Sequence, residues 1–162
     1  MASLLEKIIS GGQTGVDRAA LDAARQADMA CGGWVPKGRE AEDGVIADIY
    51  PVDECGLGGH EERTRLNVRD SDATLILVLG RSPEDFEDGT PLTVQWADTL
   101  SMPYTVVDLG QPTDAQGVVE WLEGSRVQVL NVAGPRESSA PGIYAAALAF
   151  MSQVLAVIPP RP

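Results

Sequence analysis

Two periods of apolar residues alternate along this chain. Short apolar runs bounded by Gly, Pro or charge suit strands, and apolar residues three and four apart suit helices. Lys7 to Ser10 reads as a first strand. Thr14 to Ala27 reads as a helix, with Val16, Ala19, Ala20, Ala23, Ala24 and Ala27 on one stripe. Cys31 to Val35 is a short second strand, and Pro36 to Pro51 a long loop of the kind that usually carries function. Glu61 to Arg69 is helical in pattern. Ala73 to Gly80 is an unbroken apolar run, as expected of a central parallel strand buried on both faces. A helix over Thr90 to Leu100, a strand over Tyr104 to Leu109 and a helix over Thr113 to Glu123 follow, with Thr113 as the cap. Val127 to Val132 is the last strand, and a final helix starts at about Gly142. Strands alternating with helices imply right-handed βαβ crossovers. The expected fold is α/β, with a single domain over residues 1–158 and a short tail at 159–162. The sheet should be open and mostly parallel, with helices on both faces.

In such sheets ligands bind outside the carboxyl ends of the strands. The first strand runs into Gly11-Gly12-Gln13-Thr14-Gly15, where three glycines fall within five residues just before a helix. Free N–H groups at a helix start, with glycines that permit close approach, favour an anion. The spacing G-G-x-x-G is neither the dinucleotide fingerprint nor the phosphate loop of NTPases. Thr14 is equally suited to cap the helix. Arg18, one turn further on, is placed to neutralise an anion at the turn, or else to pair with Asp22 at i,i+4. Lys37-Gly38-Arg39 follows the second strand, Gly80-Arg81 and then Gly89-Thr90 follow the third, and Gly134-Pro135-Arg136 follows the last. Four loops therefore converge on one rim.

The polar stretch from Glu61 to Asp72 offers Arg63 and Asn67 on one helical face, able to complete that rim. The alternative is a surface helix laced with weak Glu–Arg pairs. Asp70 and Asp72 precede the buried strand, at the wrong end for catalysis, and suit a structural role. His60 lies in a Gly-rich loop without a nucleophile beside it, as a surface residue would. Trp34 is placed to stack on a flat ring, whereas Trp96 and Trp121 suit core or interface.

Composition narrows the functions further. The formal charge is −12, with 24 acidic against 12 basic residues, which argues against nucleic acid as a partner. Cys31 and Cys55 have no metal-ligand spacing and fit a reduced, cytoplasmic protein. Glu6 and Lys7 interrupt any leader-like apolar stretch, and no run reaches the ~20 apolar residues of a membrane span.

Several stretches together resemble the signature of the molybdenum-cofactor carrier proteins. They are Ile9 to Asp22, Gly33 to Arg39, Ala41 to Gly44, Arg63-Thr64, Asn67-Val68, Asp70 to Leu75, Asn131 to Ser138 and Pro141 to Tyr144. The match runs from about Lys7 to Ala147. The resemblance implies a Rossmann-like fold, a homodimer or homotetramer, and kinship with the lysine-decarboxylase-like superfamily. The ligand it implies is the molybdenum cofactor, a phosphorylated pterin with a dithiolene, and the partners are molybdoenzymes. On that basis the cofactor-binding residues are Gly11, Gly12, Gln13, Thr14, Gly15, Arg18, Lys37, Arg63, Asn67, Gly89, Thr90, Gly134 and Arg136. No catalytic residue and no metal ligand is assigned.

The hydrolases of that superfamily carry P-G-G-x-G-T-x-x-E. Here Gly89-Thr90-Pro91-Leu92-Thr93 resembles its tail, with Thr93 where the glutamate would stand. A hydroxyl cannot replace a carboxylate facing an oxocarbenium-like transition state. A nucleotide or nucleoside-monophosphate hydrolase remains the alternative if Asp17, Asp88 or Glu137 supplies the acid. A sensor of nucleotide derivatives would use the same site without turnover.

Overall fold

The computed structural model describes residues 4–159. Strand β1 (Lys7–Ile9) runs through the glycine turn into α1 (Val16–Gln26). The chain continues through β2 (Ala30–Gly32), β3 (Trp34–Val35), β4 (Glu40–Ala41), β5 (Gly44–Val45) and β6 (Asp53–Glu54). Helix α2 (His60–Arg69) precedes β7 (Ala73–Val78). Then α3 (Thr90–Thr99), β8 (Tyr104–Asp108), α4 (Ala115–Gly124), β9 (Val129–Ala133) and α5 (Ile143–Val157) complete the chain.

The main sheet has five strands in the order β2-β1-β9-β7-β8, and every pairing in it is parallel. All six side chains of β7 are buried, as its unbroken apolar run requires. From β1 the chain steps one way along the sheet to β2, and from β7 it steps the other way to β8. With right-handed crossovers, α1 and α3 then lie on opposite faces. Helix α5 packs on α1 and α4, and α2 packs on α3. The alanine stripe of α1 is buried at Ala19, Ala20, Ala23 and Ala24, while Ala27 ends the helix exposed. No helix among the described residues is long and apolar enough to cross a membrane.

The element pattern holds with three corrections. The expected strand Cys31–Val35 is two strands in two sheets, because Gly33 turns the chain at φ +126°. A Cβ there would lie 2.2 Å from the Ser10 carbonyl oxygen, so the turn depends on glycine. The loop Pro36–Pro51 contains the antiparallel hairpin β4–β5, and β3 continues beside β6. Leu21 of α1, Val35 of β3 and Ile46, Tyr50 and Val52 from the segment between β5 and β6 form a second apolar cluster. Helix α4 is capped by Asp114, whose carboxylate accepts from Gly117 N at 2.9 Å, and not by Thr113. Of the tail, Pro159 alone falls within the described residues.

Asp72 bears out its structural assignment, since Oδ2 accepts from Gln128 N and Val129 N at 2.9 and 2.8 Å and ties β7 to β9 at their leading ends. Gly15 fixes the other end of the assembly. Its φ is +77°, and a Cβ on it would meet the Pro135 carbonyl oxygen at 2.4 Å. Gly15→Ala therefore combines left-handed strain with a backbone clash. A loss of about 2 kcal/mol or more, seen as roughly 4–8 °C in Tm, is the expected outcome. An unchanged melting curve would show that the loop after β9 yields freely.

Candidate functional site

The chain leaves β1 and β7 in opposite directions, with β9 between them. Such a reversal opens a crevice at the carboxyl ends of the strands. A cleft of about 220 Å³ lies there. Gly11 and Gln13 from beyond β1, Asn131 and Ala133 from β9 with Gly134 after it, His60, Arg63 and Asn67 from α2, and Glu87 to Gly89 before α3 surround it.

Arg63 dominates the cleft. It is 7 % exposed, and Nη1 donates to the Gly11 carbonyl at 2.6 Å. Gly11 has to be glycine for this side chain, because a Cβ would sit 2.5 Å from Arg63 Cδ. Nη2 meets His60 Nδ1 at 3.0 Å, and since arginine only donates, the His60 ring carries its proton on Nε2. Among the described residues Arg63 forms no ion pair. Burial pulls its guanidinium below the ordinary arginine value, and the nearby Asp17 charge opposes that pull. Burial, with Arg63 adding to it, also lowers the pKa of His60, so the imidazole is neutral at pH 7.

Asp17, in the first turn of α1, is the buried carboxyl of the cleft. Its Oδ2 accepts from Gln13 N at 3.3 Å. Burial pushes its pKa up from 3.8 to about 6, against the lowering pull of Arg63. Asp88 organises the opposite wall. Its Oδ1 accepts from Thr90 N and Thr90 Oγ1 at 2.9 and 2.6 Å, and its Oδ2 from Arg136 N at 3.1 Å. Asn131, 3 % exposed, donates from Nδ2 to Thr74 Oγ1 at 3.2 Å.

The residues expected at the rim divide among several places. Gly11, Gln13, Arg63, Asn67, Gly89, Gly134 and Arg136 line the cleft. Asn67 does so with both ends of its amide committed, accepting from Trp34 N at 2.8 Å and donating to Trp34 O at 2.9 Å. It positions β3 against α2. Thr14, Gly15 and Arg18 instead face a separate, open groove of about 460 Å³ with Tyr50 and Tyr144. Gly12 packs against Val35 and Ile46, Thr90 is buried beneath Asp88, and Lys37 is exposed outside the cleft.

Several roles are corrected by these contacts. Thr14 does not cap α1. Its hydroxyl donates to Glu42 Oε1 and accepts from Glu137 N at 3.1 Å. Arg18 pairs with Asp43 at 2.9 Å rather than with Asp22, and also donates to the Gly12 carbonyl at 3.0 Å. The carboxylates of Glu42 and Asp43, at the tip of the β4–β5 hairpin, hold that hairpin over the glycine turn. Glu137 is removed from the acid candidates of the cleft, because it accepts from Gly142 N and Tyr144 N at 2.7 and 2.9 Å and so caps α5. Trp34 is no ring platform in the cleft; its Nε1 donates to Asp70 at 2.8 Å.

His60 and Asn131 are two polar cleft residues that the sequence pattern did not single out as site residues. His60 stands three residues before Arg63 on one helical face, a spacing that was visible. Asn131 is the one amide in an otherwise apolar strand, and that too is a readable signal. Thr93 lines the cleft, and its hydroxyl donates to the Gly89 carbonyl at 3.4 Å.

An all-parallel sheet with a polar cleft at its reversal point defines a Rossmann-like α/β protein. The chain belongs to the circularly permutated YpsA SLOG family, whose profile spans residues 8–155. Its fold is similar to the crystal structure of a protein from Syntrophus aciditrophicus SB, provisionally named a molybdenum carrier protein. The two share 39 % sequence identity over 96 % of this chain and 98 % of that one, with a TM-score of 0.89. No curated protein matches the chain in sequence.

Proposed function

We propose that this chain binds a small phosphorylated cofactor, the molybdenum cofactor, with the phosphate seated against Arg63. One observation carries the reading: a buried guanidinium lines the cleft, and among the described residues no carboxylate lies within ion-pair distance of it. Asp17 acts on this charge without touching it, so donors of the guanidinium stay open to an incoming phosphate, which would take them as charge-assisted hydrogen bonds. Arg136 at the mouth, paired with Glu42 at 3.6 Å, adds a second guanidinium, and Gly134 and Gly89 bring backbone rather than side chain to the wall. The donor set therefore fits the phosphate end of the cofactor. The pterin dithiolene would carry the molybdenum, while this chain would hold the phosphate. The similar Syntrophus protein is named for carrying molybdenum, which supports a molybdenum-bearing ligand. The reading extends to a cytoplasmic homodimer or homotetramer that serves molybdoenzymes.

Anaerobic equilibrium binding of purified molybdenum cofactor, with AMP as the comparison, tests it. Saturable micromolar or tighter cofactor binding, with AMP weak and intact, is the expected result. Nucleoside-monophosphate hydrolysis is the second reading. Asp17 favours it, because a carboxyl brought to about 6 exchanges protons near neutral pH. Tight AMP binding with release of the nucleobase, and no cofactor retained, would replace the first reading with the second. Tight AMP binding without turnover would make the protein a sensor.

A further inference from the structure

The cleft is small for a whole cofactor. Sites for such ligands commonly occupy about 300–1,000 Å³. At about 220 Å³ the cleft accommodates the anionic end alone, and the remainder of the ligand has to leave through the mouth. Through that mouth lies a hollow of about 390 Å³, which shares Gln13, His60 and Arg136 with the cleft. Its far wall is the β4–β5 hairpin, with Glu40, Gly44 and Val45.

Three features of that wall suit a flat, polar ring. Val45 is 75 % exposed and gives an apolar surface beside the hollow. Gly44 has open space where a Cβ would stand. Glu40 is exposed, and among the described residues its carboxylate has no hydrogen-bond donor or cationic partner. Glu42 next to it is by contrast fully engaged, accepting from Ser138 N at 3.1 Å and Ser138 Oγ at 2.5 Å. Two glutamates two residues apart thus differ in kind, one fastening the hairpin and one left facing the hollow.

Resting on the phosphate reading above, we propose that this hollow receives a 2-amino-4-oxo-pyrimidine ring, the edge common to pterins and guanine, with Glu40 as its specificity residue. That edge presents a ring N–H beside an amino group, two donors side by side. A carboxylate accepts both and has no donor of its own to offer. Adenine places a ring nitrogen lone pair beside its amino group, so the same carboxylate meets one donor and one repelling acceptor. Hypoxanthine keeps the ring N–H but lacks the amino group. A site built on hydrogen bonds to a ligand rejects analogues lacking the partner.

Calorimetric titration with GMP, IMP, AMP and neopterin monophosphate, each also in competition with inorganic phosphate, tests the assignment. GMP or neopterin monophosphate should bind about tenfold or more tighter than IMP and AMP. Glu40→Gln should erase that preference and leave phosphate competition unchanged. Tighter neopterin monophosphate marks a pterin as the natural source of the ring, and tighter GMP marks a guanine nucleotide. IMP or AMP binding as well as the other two overturns the proposal, as does a preference that survives in Glu40→Gln. If inorganic phosphate displaces none of the probes, the phosphate reading itself fails, and the ring assignment falls with it.

Discussion

Arg63→Met is expected to weaken binding of the phosphorylated ligand by about 100-fold or more. Hydrogen bonds to charged groups contribute roughly 1.5–3 kcal/mol each, and tenfold in affinity corresponds to about 1.4 kcal/mol. A guanidinium offers a phosphate two parallel donors as well as charge, so two such interactions are lost together. Methionine keeps the buried stem beside Gly11, which separates loss of binding from loss of fold. The Gly11 carbonyl loses the donor it now receives at 2.6 Å, but it faces a cleft that water can enter. Arg63→Lys retains the charge without the fork and should fall between, near tenfold weaker. Arg18→Ala supplies the contrast. Arg18 fastens the Asp43 end of the hairpin from the other groove, so its removal should loosen the hairpin and change affinity less. Titration of the four proteins under one salt condition would order them. Arg63→Met binding as tightly as the parent would remove Arg63 from the site.

Most of the elements are legible in the apolar periods of the chain, since β7, α1 and α5 bury long apolar stretches that leave a clear signal. The misses have a common cause. Strands β3 to β6 are two residues each, too short to show any period, and they exist because β3 pairs with β6 and β4 with β5. Arg18 could not be assigned to Asp43 while that hairpin was invisible. The glycine turn shows the same limit in another form. Its spacing was evident, but each glycine answers to a neighbour far along the chain: Gly11 to Arg63, Gly12 to Ile46, and Gly15 to Pro135. These three glycines admit protein rather than ligand. The positive charge facing the cleft comes instead from the helix α2, whose polar sequence suits a solvated surface equally well. Arg63 and Asn67 were marked by their shared face, whereas the burial that separates Arg63 from Arg65 and Arg69 is a property of the packed chain.

Asp17→Asn is the change with the largest expected effect on stability. The folded-state pKa of Asp17 is raised from 3.8 to about 6, so the native protein holds this proton over a range in which the unfolded chain has lost it. Stability from this group is fully present below about pH 3.8, declines as pH rises toward 6, and is level above that. The deficit at pH 7 is of the order of 3 kcal/mol. Asparagine removes the titration, keeps an oxygen for the Gln13 N–H and preserves the shape. Urea unfolding at pH 4, 6 and 8 should therefore show the variant more stable than the parent at pH 8, with the gap narrowing toward pH 4. A gap that does not change with pH would mean that Asp17 is ionised throughout. The same carboxylate faces any bound phosphate, so above pH 6 the variant should also bind the phosphorylated ligand more tightly than the parent. The titration of the phosphate itself is common to both proteins and cancels in the comparison. A chain that carries its ligand gains from losing this charge, whereas a hydrolase that depends on Asp17 for proton transfer would lose turnover with it. One substitution, read by affinity and by nucleobase release, thus separates the two readings of the cleft.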